Sequence, residues 1–168
     1  LKASGLWKEG AKMPGICYRP IVAFLPGGYS AEFRLSRKPR DDAERKSLRY
    51  GATRFPWFWK GQEQRVMVVE GVIDLLSAVA LGFNGHVIGV TGCNQWKPEW
   101  FQELREKRDV RMFYVALDND DSEMNPGQVW ASKMSDEMKR LNLPNQIRKP
   151  PKGCDINDIL RNKKGVKK

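Results

Sequence analysis

Val66-Met67-Val68-Val69-Glu70-Gly71-Val72-Ile73-Asp74-Leu75-Leu76 and Phe113-Tyr114-Val115-Ala116-Leu117-Asp118-Asn119-Asp120 are the stretches on which the reading of this chain turns. Each begins as a short apolar run of strand length and stops abruptly on acids. A carboxylate at the end of a buried strand is costly unless it is solvated, paired or bound to a metal. Asp74 follows Glu70 by four residues and leads an apolar helical stretch, Ile73 to Leu81, which stops at Gly82.

Working outward, the rest of the chain supplies the partners of these two strands. His86 to Val90 and Asn145 to Arg148 read as further strands, and Val110 to Leu117 as the strand that ends on Asp118. Lys97 to Lys107, opened by Pro98, and Gln128 to Leu141 read as helices. Strands alternating with helices over short connections predict an α/β fold, a mostly parallel sheet covered on both faces. Active groups in such sheets collect beyond the carboxyl ends of the strands. If the two acid-ended strands are neighbours, Glu70, Asp118 and Asp120 meet on one rim. A hard divalent cation would relieve their mutual repulsion. Either acidic motif alone is a weak signal; the pair, in this order and at strand ends, is a much stronger one.

Before residue 65 the composition changes. Residues 1–65 carry 14 basic and 6 acidic side chains, residues 66–148 carry 9 and 12, and residues 149–168 carry 7 and 2. An acidic middle between basic ends suggests a polyanionic partner. Tyr18 to Phe24 and Tyr29 to Leu35 read as a hairpin turning at Pro26-Gly27-Gly28, and residues 36–48 as a loop or short helix. The aromatic stretch Arg54 to Trp59 fits either base stacking or ordinary core packing. Lys163, Lys164, Lys167 and Lys168 read as a solvated basic tail, and residues 1–15 as a polar lead-in.

Several chemistries are excluded or made remote. No apolar run approaches a membrane span, and no signal-peptide pattern opens the chain. Cys17, Cys93 and Cys154 are scattered and odd in number, which argues against a zinc site and for a reducing, cytoplasmic setting. His86, the single histidine, lies inside an apolar run and reads as a strand residue. The chemistry therefore rests on carboxylates, lysines and arginines.

From Val66 to Leu160 the chain resembles a Toprim domain, the metal-binding fold of bacterial-type primases, type IA and II topoisomerases and some nucleases. The resemblance is carried by Glu70-Gly71 and by Asp118-Asn119-Asp120. It is closest to primases and to phage or plasmid primase–helicases. Their first motif, Glu-Gly-x-x-Asp-x-Leu, is matched through Asp74 and Leu76. Their closing motif, of Gly-x-Asp-x-Asn-Asp-x-Leu character, is matched from Gly153 to Leu160. More loosely, Ile21 to Phe24, Phe33 to Arg37 and Leu48 to Gly51 resemble the small basic lobe that precedes the fold in such primases.

The resemblance implies a small basic α+β lobe over residues 1–64, a Toprim domain over 65–160 and a basic tail over 161–168. It implies a DNA primase core that makes short RNA primers on single-stranded DNA from ribonucleoside triphosphates during replication, with Mg²⁺ or Mn²⁺. A replicative helicase, separate or on the same full-length chain, is the expected partner. Asp118, Asp120 and Asp74 are the implied metal ligands, Glu70 a ligand or general base, and Arg34, Arg37 and Arg49 the contacts to nucleotide phosphates or template. A Toprim nuclease or topoisomerase-like enzyme and a non-catalytic nucleic-acid-binding module are the alternatives. Tyr18, Tyr29, Tyr50 and Tyr114 offer no evident topoisomerase nucleophile. The sequence departs from the pattern in two places. Asp121 to Pro126 lengthen the loop before Gly127, adding two acids, and Cys154 stands where relatives often carry a base. Leu1 in place of Met fits a piece of a longer chain.

Overall fold

The structure is a computed structural model that describes residues 19, 21–25, 30–41, 43–51 and 55–165. The lead-in, Cys17, Tyr18, the turn at 26–28, Tyr29, Arg54, Lys167 and Lys168 lie outside the described residues. The chain divides into two compact units, Leu1–Phe55 and Pro56–Lys168.

In the first unit, β1 (Ile21–Phe24), β2 (Ser30–Arg34) and β3 (Ser47–Gly51) form an antiparallel sheet with β2 in the middle. Phe33 and Ala31 are buried on the central strand, whereas Ile21, Val22 and Phe24 of the edge strand are exposed. The expected hairpin is present. Among the described residues this unit contains no helix, and residues 36–41 and 43–46 are irregular.

The second unit holds β4 (Trp57–Trp59), β5 (Glu63–Glu70), α1 (Val72–Ala80), β6 (Gly85–Val90), α2 (Pro98–Arg108), β7 (Met112–Val115), α3 (Pro126–Arg140), β8 (Asn145–Ile147) and α4 (Ile156–Lys163). The strand order is β4-β6-β5-β7-β8. All pairings are parallel except β4 with β6. The mostly parallel sheet flanked by helices is thus the architecture expected. β4 is the addition: its aromatic residues, read as part of the basic lobe, join this sheet as an antiparallel edge strand, with Phe58 opposite Ile88. The supposed tail at 161–168 begins inside α4.

One face of the sheet carries the main core. Val66, Val68, Ile88, Val90, Phe113 and Val115 pack against Trp100 and Phe101 of α2 and Ala131, Met134 and Met138 of α3. Phe101 meets Phe113 edge-on at 5.9 Å. Each fully buried Val or Phe contributes roughly 1.5–3 kcal/mol, so this face fixes the strand ends from which the acids project. On the other face α1 lies close to β6. A Cβ on Gly89 would meet the carbonyl oxygen of Gly71 at 2.7 Å. Gly71 itself has φ 104°, a left-handed turn that only glycine adopts without strain and that launches α1 straight off β5. His86 is a buried strand residue, as expected, and its Nδ1 accepts the Gly61 N–H at 3.0 Å.

The lengthened loop after Asp120 does not loosen the fold. It returns the chain so that Gly127 lies on the backbone of Asp118, where a Cβ would overlap the Asp118 carbonyl oxygen. Gln128 Nε2 donates to the carbonyls of Leu117 and Asp118, at 3.0 Å each. Gly127→Ala is therefore expected to destabilise the protein by about 1–3 kcal/mol through overpacking against rigid backbone. Urea denaturation measures this, and an unchanged midpoint would show that the α3 N-terminus can move away from Asp118.

Candidate metal centre

Parallel pairing sets the position of the acids. Val68 is in register with Val115, and Val69 with Gly89. Glu70 therefore closes β5, opposite Val90, and Asp118 stands just past the carboxyl end of the adjacent β7. Asp74 sits in the first turn of α1, on the helix that Gly71 starts.

Asp74, Asp118 and Asp155 each offer a carboxylate oxygen, and these atoms lie within 4.8 Å of one another. Sequence reasoning named the first two as ligands and missed Asp155. That residue precedes α4, and its Oδ1 accepts the backbone N–H of Asp158 at 2.6 Å, capping the helix. The Asp-x-x-Asp spacing before the apolar Ile156, Ile159 and Leu160 is a recognisable helix-start signal. What brings that helix to Asp118 is a long-range contact that no local signal announces.

That contact centres on Asn119. Its N–H donates to the Cys154 carbonyl at 3.1 Å, and its own carbonyl accepts the Gly153 N–H at 2.7 Å. Its Nδ2 donates to the Pro150 carbonyl and its Oδ1 accepts from Asn125 Nδ2, both at 2.8 Å. The residue is 2% exposed. Four bonds at about 0.5–1.5 kcal/mol net each are enough to hold neighbouring carboxylates together against their repulsion. On the helix side, Asp74 Oδ1 accepts the Asn157 N–H at 3.1 Å, and Ser77 Oγ lies 3.3 Å from Asn157 Oδ1, which couples α1 to α4.

Asp118 carries the electrostatic load. Burial, then Asp74, Glu70, Asp155 and Asp120 in turn, push its carboxyl up to about 8. Its Oδ1 is buried and has no hydrogen-bond partner. Glu70 is also raised, chiefly by burial and less by Asp120, while the Cys93 backbone N–H opposes the shift. Glu70 and Asp120 are not in the closest trio, yet both charges reach Asp118. Asp121 and Glu123, the acids of the longer loop, are exposed.

An orphaned, buried carboxylate oxygen among three hard oxygen donors fits a divalent cation of the Mg²⁺ or Mn²⁺ kind. Asp74, Asp118 and Asp155 are the residues that would hold it. Cys93 does not compete: burial, then Glu70, pushes its thiol up, away from the thiolate form that binds metal.

Arg34, Arg37 and Arg40 of the first unit are engaged with carboxylates. Arg37 makes two bonds to Glu44, at 2.7 and 2.8 Å, and Glu44 also accepts from Arg40. These contacts hold the Glu44 carboxyl well below the usual range, the Arg37 bond being the largest cause. Arg34 lies 3.5 Å from Glu32, and Arg49 pairs in register opposite Glu32. Trp57 is 5% exposed and unavailable for base stacking, whereas Trp59 is 46% exposed.

The family description that matches is the Toprim domain, over residues 65–165. That is well over half of the chain, and the chain belongs to the Toprim family. Toprim domains occur in primases, topoisomerases and nucleases and bind Mg²⁺ through acidic residues. No curated protein and no solved structure matched the chain. Among the described residues no helix is long and apolar enough to cross a membrane.

A carboxyl raised from 3.8 to about 8 holds a proton in the folded state that the unfolded chain has already released. Metal-free stability should therefore fall as pH rises through that window, at about 1.4 kcal/mol per unit for this one group. Asp118→Asn removes the effect. Its melting curve without metal should be flatter in pH between 5 and 8 than that of the wild type. At pH 8 it should melt higher, by on the order of several degrees. Millimolar Mg²⁺ should raise the midpoint of the wild type and not of the variant. Parallel pH profiles for the two proteins would contradict the assignment.

Proposed function

We propose that this chain is the catalytic core of a DNA primase, joining ribonucleotides on a single-stranded DNA template. The observation that carries the reading is the convergence of Asp74 and Asp155 on the unpartnered Asp118 carboxylate. Asp74 is the fifth residue of the Glu-Gly-x-x-Asp motif and Asp155 the first acid of the Gly-x-Asp-x-Asn-Asp motif. These two extensions distinguish the primase pattern from the bare Glu and Asp-x-Asp of the wider family.

In this reading Asp74, Asp118 and Asp155 hold the cation, with Asp120 beside them. A cation held there would supply charge neutralisation at the transferring phosphoryl group and favour the ionised 3′ oxygen. Glu70 is the general base. Its carboxylate is partly buried, its basicity is raised, and the Cys93 N–H orients it. It takes the proton of the primer 3′ hydroxyl as that oxygen bonds to the α-phosphorus of the incoming nucleotide and pyrophosphate leaves. Arg34, Arg37 and Arg49 contact phosphates. The Glu44 partner of Arg37 fixes the guanidinium fork and leaves N–H groups over for an anion.

The test is incubation of the chain with single-stranded DNA, ribonucleoside triphosphates and Mg²⁺ or Mn²⁺. Short new RNA chains are expected. Glu70→Gln should reduce their synthesis by about 10²–10⁴-fold while leaving Mn²⁺ binding in place. Shortened DNA would identify a Toprim nuclease instead, and a gel shift without chemistry a binding module. For the first unit, replacing Arg34, Arg37 and Arg49 together by Ala should flatten the salt dependence of DNA binding by about 2 units in log affinity against log salt, at about 0.7 per contact. Loss of that slope on replacing Lys163, Lys164, Lys167 and Lys168 instead would move the phosphate contacts to the C-terminal end.

A further inference from the structure

The sheet face opposite α2 and α3 is covered by α1 over β4, β6 and β5. Among the described residues its β7–β8 side is open. Met67 and Tyr114 are in register and half-buried, and Gln146, in register with Tyr114, is exposed. Strand alternation puts Arg65, Met67, Met112, Tyr114, Gln146 and Arg148 on this face.

The side chains there form a continuous track. The Arg65 guanidinium lies over the Phe83 ring at 5.4 Å. Phe83 meets Tyr114 edge-on at 6.3 Å. The Arg148 guanidinium lies over Tyr114 at 5.1 Å. Cation, ring, ring and cation thus follow one another across three strands. Glu63, paired with Arg65, is the acid on the track. Neither the acidic centre nor the basic first unit uses these residues.

We propose that this half-open sheet face binds single-stranded nucleic acid, with bases stacked on the Phe83 and Tyr114 rings and the Arg148 plane and phosphates paired to Arg65 and Arg148. The inference rests on the nucleic-acid reading above. Flat rings and guanidinium planes accept any base, and the flanking cations match the alternation of base and phosphate along a strand. Asp118 lies beyond the carboxyl end of β7, the strand that carries Tyr114. A nucleic-acid strand seated here therefore lies on the same sheet as the centre, on a surface that carries net positive charge where the rim itself is negative.

The test uses the full chain and a fluorescently labelled 20-nucleotide oligothymidylate, with anisotropy titrations at several salt concentrations. Arg65→Gln with Arg148→Gln is the principal variant, and Arg148→Gln alone, at an exposed position, the one least able to disturb folding. The double variant should bind at least 10-fold more weakly, with the salt slope flatter by about 1.4 units for two lost contacts. Tyr114→Leu should weaken binding without changing the slope. Wild-type binding with an unchanged double variant overturns the sheet-face assignment and leaves the primase reading standing. No binding by the wild type overturns both. If the double variant loses affinity for free ATP and keeps it for the oligonucleotide, the face holds a nucleotide and the proposal fails. A variant that instead changes the oligomeric state in sedimentation, with binding intact, makes the face a contact between copies of the chain and also overturns it.

Discussion

The two backbone bonds that Asn119 exchanges with Gly153 and Cys154 join parts of the chain more than 30 residues apart. On one side of this bridge stands Asp118, at the end of the central strand pair. On the other stands Asp155, capping α4. Without the bridge the acids of the closing motif would have no reason to approach those of the strand, since like charges in a poorly solvated site repel. The fold thus holds in place an arrangement that electrostatics opposes. The side chain of Asn119 extends the bond to Pro150 and to Asn125 at the head of α3, so three segments meet at one buried residue.

The remainder of the site follows from that placement. Asp118 is held upright by backbone packing on Gly127 and Gln128 rather than by bonds to its own carboxylate, one oxygen of which is left without a partner. Asp74 and Asp155 each accept a neighbouring backbone N–H, which fixes their orientation. A site in which the positioning bonds are made by everything except the central acceptor is pre-organised for a cation. Its cost without the cation is a proton retained at neutral pH.

Much of the second unit was legible in the sequence because its strands are continuous apolar runs and its helices carry ordinary stop signals. Gly82 after α1 and Pro98 at the start of α2 behave as read. Glu70, Asp74 and Asp118 were legible as acids at strand ends and at the head of a helix, where chain direction alone sets their place. β4 was not legible, because a three-residue edge strand owes its place to pairing with β6, some 30 residues away, rather than to its own pattern. Asp155 was not legible as a ligand for a similar reason. Its cap is local, but its nearness to Asp118 comes from the Asn119 bridge. The arginines of the first unit were legible as charges, and their carboxylate partners in the loop and the facing strand were not.

The central claim, that Asp74, Asp118 and Asp155 form one cation site built around the unpartnered Asp118 oxygen, is tested most directly by crystals of the chain soaked in Mn²⁺. An anomalous difference map should show a peak bonded to all three carboxylates, at about 2.0–2.2 Å from each oxygen, the distance for an ion close to Mg²⁺ in its demands. A peak held by Glu70 and Asp120 with Asp155 left out, or none at this rim at saturating Mn²⁺, would contradict it.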